Sequence, residues 1–487
     1  MKIAFMQAYD PKYLYHTYLP PLGLGYLISY IKRECWFVEP SFHHTVDDLI
    51  AAKPDLVGIG ACSENFSDAI NIARRVKEAL GVPIVVGNMH VTALPHTLPK
   101  IFDVGVCGEG EISFTQLIQL YKRAGKLEPH ELAKINGLCF HDNGSVRVNP
   151  AVPLIQDLDI LPYPDRDTLG YDWAVSPSEE VHMVSSRGCP YRCSFCTSAN
   201  NWKPFRFFSA DYVVKEIEYI RNKYDPKVIY FFDDLFIGHI GRFREIVDKF
   251  RETGIYKGVD FRFYARADLM QDWIGEACAE LNFHYIDFGF ESNNPDTLKY
   301  LTKTKVKPET NQKCVDICRK YQLSLGGNFI LASPRETLED MQDTYNFVER
   351  NREWFDRVSM GPLHPNPGTP IWNEALQKGL VSEDMDFGRL AVTYETFDKE
   401  TFPYMSEVVP VDEFFEFWTK FNALAREINY VGQLRKLIRE KARLEDQQRR
   451  AAGELNTLKG SRLVRLALEL RRLRNSAVRR SRPKAAV

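Results

Sequence analysis

"RGCPYRCSFC", residues 187–196, sets Cys189, Cys193 and Cys196 within eight positions, in the spacing C-x3-C-x2-C. Thiolates at this density suit zinc or an iron–sulfur cluster. A closed zinc site needs four ligands, and a zinc ribbon would supply a second C-x2-C pair. The next cysteines along the chain, Cys278, Cys314 and Cys318, are far away in sequence. Three thiolates on a [4Fe–4S] cluster leave one iron with an open position, and an open position on a metal centre is a place for chemistry. The missing fourth ligand is then a substrate or cosubstrate.

Around this stretch the chain alternates strand and helix. "VHMVSS" (181–186), "KVIYFFDD" (227–234), "FRFYARAD" (261–268), "HYIDFGFES" (284–292), "SLGGNFILASP" (324–334) and "RVSMGPLHP" (357–365) read as strands. Helical patterns separate them, among them "SADYVVKEIEYIRNKY" (209–224), with Ser209 as N-cap, and "ETLEDMQDTYNFVERN" (336–351). Six β/α units without a sign of strand-order reversal predict a full or partial barrel over 181–375. Asp233 and Asp234, Arg266 and Asp268, and Glu291 and Ser292 gather at strand carboxyl ends, where barrel enzymes carry function.

Residues 1–150 carry a second alternating pattern. "KIAFMQ" (2–7), "DLVGIGAC" (55–62), "PIVVGN" (83–88) and "VGVCG" (104–108) are short apolar runs ending near turn formers, as buried parallel strands do. With helices such as "FSDAINIARRVKEAL" (66–80) between them, they predict a Rossmann-like, doubly wound sheet. Ligands of such sheets sit at strand carboxyl ends, here "SENF" (63–66), "NMHVTALP" (88–95) and "GEGEIS" (108–113). Residues 151–180, with prolines, aspartates and no period, read as a linker. Residues 376–430 read as a helical segment closing the pocket. "LHPNPGTPIWNEA" (363–375) and "TYETFDKETFPYM" (393–405) either line that pocket or belong to the core.

Composition narrows the class. The 487 residues exceed one ordinary core, and 44% hydrophobic with 26% charged content reads as soluble and globular. The net charge of −2 argues for no nucleic-acid partner. No run of 18 apolar residues occurs, and "MKIAFMQAYD" lacks the pattern of a signal peptide, so the expected compartment is the cytoplasm. Ten cysteines in such a chain do not read as a disulfide framework. Cys35, Cys62, Cys107 and Cys139 lie in or beside apolar runs and read as small hydrophobes, and Cys314 and Cys318 as one face of a core helix. Residues 431–487 differ: 17 Lys and Arg stand against 5 Asp and Glu. Within them "SRLVRLALELRRLRN" (461–475) aligns Leu463, Leu466, Leu470 and Leu473 among arginines. That is the pattern of a basic amphipathic helix, either on an anionic membrane surface or packed on protein.

"SSRGCPYRCSFC" (185–196), followed by "FRFFSADYVVKEIEYI" (205–220) and "VIYFFDDLFI" (228–237), resembles the radical S-adenosylmethionine (SAM) enzymes. The resemblance implies a [4Fe–4S] cluster on Cys189, Cys193 and Cys196, with SAM chelating the fourth iron and being cleaved to a 5′-deoxyadenosyl radical. It implies SAM contacts from Phe195, Asp233, Asp234, Arg266, Glu291 and Ser292, although the family's common "GGE" form is absent at Asp233 and Asp234. "LPPLGLGYLISYIKR" (19–33), "KPDLVGIGACSENFSDA" (53–69), "IVVGNMHVTALP" (84–95) and "VGVCGEGEISFTQLI" (104–118) resemble the cobalamin-binding domain of the cobalamin-type branch. The linker "LDILPYPDRD" (158–167) and "PGTPIW" (367–372) resemble the same group. Gly23, Ser63, Gly87, Asn88 and Glu109 are the implied cobalamin contacts. The D-x-H-x-x-G motif, whose histidine would ligate cobalt from below, is missing, and Asn88 replaces a glycine. His43 and His44 read as a solvated loop pair.

The resulting expectation is a Rossmann-like cobalamin-binding domain, then a partial (β/α)6 radical SAM barrel, then a helical extension. The expected activity is C-methylation of an unactivated carbon in a secondary metabolite, glycan or lipid. The electron donor would be external, such as flavodoxin or ferredoxin, and the basic tail would allow peripheral membrane contact. Radical rearrangement, ring contraction or cyclisation is the alternative. A tRNA methylthiotransferase would need a second cluster on Cys35, Cys62 and Cys107, and no appended RNA-binding barrel follows. A zinc scaffold without activity is the last reading. No catalytic acid or base is identifiable.

Overall fold

A computed structural model describes residues 1–9, 19–170, 180–198, 202–303, 305–391 and 398–460. The described chain contains two large, mainly parallel sheets and one two-stranded antiparallel pair. It divides into two compact units, Met1–Ile428 and Asn429–Val487.

The first sheet has seven strands: β1 (Lys2–Gln7), β2 (Glu39–Phe42), β3 (Leu56–Gly60), β4 (Ile84–Gly87), β5 (Val104–Val106), β6 (Leu138–Asp142) and β7 (Ser145–Val148). Their order is β2-β1-β3-β4-β5-β6-β7. The pairs from β2 through β5 are parallel, and β6 and β7 add an antiparallel hairpin at the edge. β3, "LVGIG", is buried at every position, as a strand covered on both faces must be. The helix Phe66–Leu80 follows the expected bounds and buries Phe66, Ala69, Ile72, Ala73 and Val76 on one face. Strand order reverses between β1 and β3, the place where doubly wound sheets open a crevice.

Three strands of this sheet go beyond the four read from sequence. β2, "EPSF", has no apolar run, because it is a short edge strand paired only through β1. The hairpin β6–β7 turns on Asn143 and Gly144, with φ of 48° and 85°, the left-handed pair of a type I′ turn.

The second sheet holds β8 (Glu180–Met183) and, beyond the short pair β9 (Ser186–Arg187) and β10 (Arg206–Phe207), the strands β11 (Val228–Phe231), β12 (Asp260–Arg266), β13 (Tyr285–Glu291), β14 (Ser324–Leu331) and β15 (Phe355–Pro362). Its order, β15-β14-β13-β12-β11-β8, is sequential and wholly parallel. This is the six-stranded partial barrel expected. The segment 181–186, read as one strand, is divided. β8 pairs with β11 in the barrel, whereas β9 pairs antiparallel with β10 and leaves it. Ser209 caps the helix Ala210–Tyr224 by accepting from the Tyr212 N–H at 3.1 Å. Cys278, Cys314 and Cys318 are buried among the apolar side chains between barrel and helices.

The described part of the linker is packed. Leu158 and Leu161 enter the barrel core. Arg166 is wholly buried, donates to the His182 carbonyl oxygen at 2.8 Å and pairs with the buried Glu216 at 2.8 Å. After the barrel, the helix Pro370–Gln377 and the turn Phe387–Leu390 place Trp372 and Phe387 in a separate apolar cluster. The last helix runs Val411–Gly460, across the expected boundary at 430, and buries Phe414, Trp418, Phe421, Leu424, Ala425 and Ile428 in the barrel core. The amphipathic stretch 461–475 and residues 393–397 of "TYETFDKETFPYM" lie outside the described residues. Among the described residues no helix is long and apolar enough to cross a membrane.

Candidate active site

The pairing of β9 with β10 draws together the two ends of the cysteine loop. Gly188 has a φ of 80°, and a Cβ there would stand 2.1 Å from the Trp202 carbonyl oxygen. Only glycine satisfies both conditions. Farther along, the Ser194 N–H donates to the Leu301 carbonyl at 3.3 Å, and the Ile371 N–H donates to the Ser194 carbonyl at 3.4 Å. The loop is thereby tied to segments on both flanks. Cys193 is buried, and Cys189 and Cys196 are half-buried. Among the described residues no three His, Cys, Asp or Glu side chains stand close enough to hold one metal ion.

The surroundings of Cys193 are cationic. Arg266, the last residue of β12, places Nη1 3.4 Å from Cys193 Sγ, pairs with Asp268 at 3.0 Å and lies 3.7 Å over the Tyr191 ring. Burial pushes the Cys193 thiol up, and the charges of Lys303 and Arg266 oppose that shift. Burial also pushes the Cys189 thiol up to about 11. Two cations facing a buried thiol suit a centre whose thiolates and sulfides carry negative charge. A [4Fe–4S] cluster therefore fits this donor set.

The other residues expected at the SAM site separate into two groups. Glu291 ends β13 at a φ of 61°, beside a register shift, and its Oε1 accepts from the buried Lys303 Nζ at 2.6 Å. Asp234 Oδ1 accepts from Ser198 Oγ at 2.7 Å, and burial raises its carboxyl. Phe195 is half-buried against the cluster around Trp372 and Leu94. These three lie in or beside the cysteine loop or at a strand end. Asp233 and Ser292 instead have their polar atoms taken up inside the fold. Asp233 accepts from the Ser185 N–H at 3.0 Å, from Ser185 Oγ at 2.9 Å and from Ser186 Oγ. Burial raises its carboxyl, and Arg242 opposes the shift. Ser292 Oγ accepts from the Asn294 N–H at 3.0 Å and meets Thr344 Oγ1 at 3.2 Å.

Between the two sheets lies a cavity of about 510 Å³. From the first sheet it is lined by Gln7, Gly60, Cys62, Glu64, Gly87, Asn88, Gly108 and Glu109, the residues at and after strand carboxyl ends, and by Gly23. From the other side come Arg187, Gly188, Trp202, Phe232 and Asp234. A Cβ built on Gly23 or Gly108 meets nothing within 4 Å. The wall is thus kept bare, which suits a large flat ligand such as a corrin. Of the five expected cobalamin contacts, Gly23, Gly87, Asn88 and Glu109 line the cavity. Ser63 does not; its hydroxyl meets the buried His90 Nδ1 at 3.1 Å. Asn88 takes the position expected for glycine at a φ of 88°, with Oδ1 on the next backbone N–H at 2.8 Å. Among the described residues no histidine lines the cavity. His90 stacks on Phe66, and burial lowers its imidazole to about 3.

A four-charge cluster closes the seam. Arg187 reaches Glu109 at 3.1 Å and Glu111 at 2.6 Å, and Arg206 reaches Glu109 at 2.7 Å. Burial raises the Glu109 carboxyl, and Arg206 with Arg187 overcomes this and holds it below the usual value. Sequence reading included Glu109 but omitted Arg187, Arg206, Cys62, Glu64 and Trp202. The two arginines flank the cysteine loop, and that position is the signal that would have found them.

Comparisons with known proteins agree with this geometry. The radical SAM superfamily model matches residues 183–348, and the B12 binding domain model matches residues 15–118. An uncharacterized methyltransferase of Pyrococcus horikoshii is 30% identical, over 74% of this chain and 80% of its own. An anaerobic magnesium-protoporphyrin IX monomethyl ester cyclase of Rubrivivax gelatinosus is 24% identical, over 81% of this chain and 70% of its own. The solved structure of the radical S-adenosylmethionine methyltransferase TsrM from Kitasatospora setae, with cobalamin and a [4Fe–4S] cluster bound, shares the fold. Its TM-score is 0.64 at 17% identity, covering 78% of this chain and 75% of that one. The cysteine loop at the mouth of a six-stranded partial barrel, the bare cavity of a doubly wound sheet and these matches together assign the chain to the radical SAM superfamily, as an enzyme of the B12-binding branch that works with a [4Fe–4S] cluster, SAM and cobalamin.

Proposed function

We propose that the chain is a C-methyltransferase acting on an unactivated carbon. One observation carries this reading: a single cavity is lined both by the strand ends of the B12-binding sheet and by the neck of the cysteine loop. A methyl carrier and a radical source that share one cavity can serve one substrate atom. The relative from Pyrococcus horikoshii is itself named a methyltransferase. When bound, the cluster supplies an electron that cleaves SAM to a 5′-deoxyadenosyl radical, and cobalamin carries the methyl group.

The chain's own residues hold these groups. Cys189, Cys193 and Cys196 are the cluster ligands, and Arg266 donates toward the Cys193 sulfur, the kind of contact that tunes a cluster's potential. Glu291, neutralised by Lys303, together with Phe195, Asp234 and Arg266, contacts SAM. Asp233 and Ser292 act through the backbone that they fix. Gly23, Gly87, Asn88 and Glu109 line the corrin, and Ser63 orients His90 behind it. The substrate is a small molecule, glycan or lipid-linked compound, and the electron comes from an external donor such as flavodoxin or ferredoxin. The enzyme works in the cytoplasm and touches anionic membrane through its basic tail. Tyr430, Val431, Leu434, Leu437 and Ile438 are exposed along one face of the last helix, and basic residues follow them. Anionic vesicles should therefore sediment the full chain but not a form ending at residue 430, whereas neutral vesicles should sediment neither.

The coproducts of SAM test the reaction. Cluster-loaded, cobalamin-loaded protein given SAM and reductant should form both 5′-deoxyadenosine and S-adenosylhomocysteine. 5′-Deoxyadenosine alone would sink methyl transfer. It would favour cyclisation or rearrangement, and the Rubrivivax gelatinosus relative is itself named a cyclase.

A further inference from the structure

Arg187 belongs to β9 and stands two residues before Cys189. Its guanidinium leaves the barrel side altogether. It lies 5.3 Å over the Tyr26 ring and pairs with Glu109 and Glu111 of the first domain. Arg206, on the strand paired with β9, donates to both oxygens of Glu109 at 2.7 and 3.0 Å and to the Ile155 carbonyl at 2.7 Å. Both ends of the cysteine loop are therefore tied to one carboxylate. The side chains of Glu109, Glu111 and Arg206 are 6%, 6% and 4% exposed, and Arg187 is 16% exposed. Two cations and two anions balance.

What exposure remains faces the cavity, because Arg187, Glu109 and Glu111 all line it. A ligand filling the cavity removes the water that screens these pairs. Ion pairs strengthen as the local dielectric falls. The next residue, Gly188, lies so close to the Trp202 carbonyl that a Cβ there would stand 2.1 Å from its oxygen, so a shift of Arg187 is passed to a tightly packed backbone. Trp202 also lines the cavity, and its Nε1 donates to Met89 Sδ of the first domain at 2.9 Å.

We propose that Arg187 is a positioning residue that couples occupancy of the cobalamin cavity to the order of the cysteine loop. Filling the cavity tightens the Arg187–Glu109–Glu111 contacts and so fixes the backbone that presents Cys189. By linkage, a loop ordered by its cluster favours cobalamin in return. The inference rests on the reading of the cavity as the cobalamin site and of the loop as the cluster site.

Hydrogen exchange on the full-length, cluster-reconstituted protein tests it, with and without saturating hydroxocobalamin. Cobalt retained after desalting reports the cavity separately. In the wild type, cobalamin should slow exchange in 187–198 by about fivefold or more as well as in 84–93. In Arg187→Met and in Glu111→Gln the slowing in 84–93 should persist, and that in 187–198 should fall to less than about twofold. Arg187→Lys should restore part of it. A purely structural arginine would speed loop exchange equally with and without cobalamin. That result, or a wild-type loop indifferent to retained cobalt, overturns the coupling. Failure of the wild type to retain cobalt overturns the cobalamin reading and the coupling with it. Glu111→Gln decides the matter if Arg187→Met does not fold.

Discussion

Gly188 is the residue on which the cysteine loop turns, and its replacement is the sharpest local test. Gly188→Ala forces a Cβ into the Trp202 carbonyl at a φ that alanine avoids. Global circular dichroism should be kept, while iron bound after reconstitution should drop to less than about half of wild type. Glu336 offers a second test, through pH. It is buried after β14, and its Oε2 accepts from the Ser333 N–H at 3.0 Å. Burial pushes its carboxyl up to about 8. The stability it contributes is full below the ordinary carboxylate value near 4.5 and is lost as pH rises through about 8. Glu336→Gln should therefore flatten the fall of stability over that window, by about 1.4 kcal/mol per pH unit at most, in urea unfolding followed against pH. At this scale the three cysteines were legible because spacing is a property of sequence. The inward turn of Asp233 was not. Its neighbour Asp234 has the same chemistry, and only the course of the backbone beyond the end of β11 decides which of the two faces the cavity.

Among the elements, strands covered on both faces were readable as apolar runs, β3 and β4 above all. β2 was missed because an edge strand needs no such run. The hairpin β6–β7 carried its signal in "HDNGS", a turn pair between alternating segments. β9 and β10 have no local signal, since each is a two-residue pairing made by closure of a loop. Residues 151–180 read as a linker because prolines and aspartates conceal what Arg166 does. Its guanidinium pairs with Glu216, whose carboxyl burial pushes up. Arg166→Met would leave that carboxylate buried without its partner and should cost about 3–5 kcal/mol, read as a lower urea midpoint. Glu216→Gln with Arg166→Met should recover part of the loss.

At the scale of the whole molecule, the cavity is a product of assembly. Neither sheet encloses it alone, and the order reversal between β1 and β3 points one crevice at the neck of the cysteine loop. Sequence motifs named both halves but not the ion cluster that joins them, because Arg187 and Glu109 are 78 positions apart. Whether one chain carries both groups is decided most directly by counting metals. Protein purified without oxygen, reconstituted with iron, sulfide and hydroxocobalamin and then desalted, should hold about four irons and one cobalt per chain. With Cys189, Cys193 and Cys196 all replaced by alanine, the irons should be lost and the cobalt kept. Iron retained by that variant, or no cobalt in the wild type, would contradict the account.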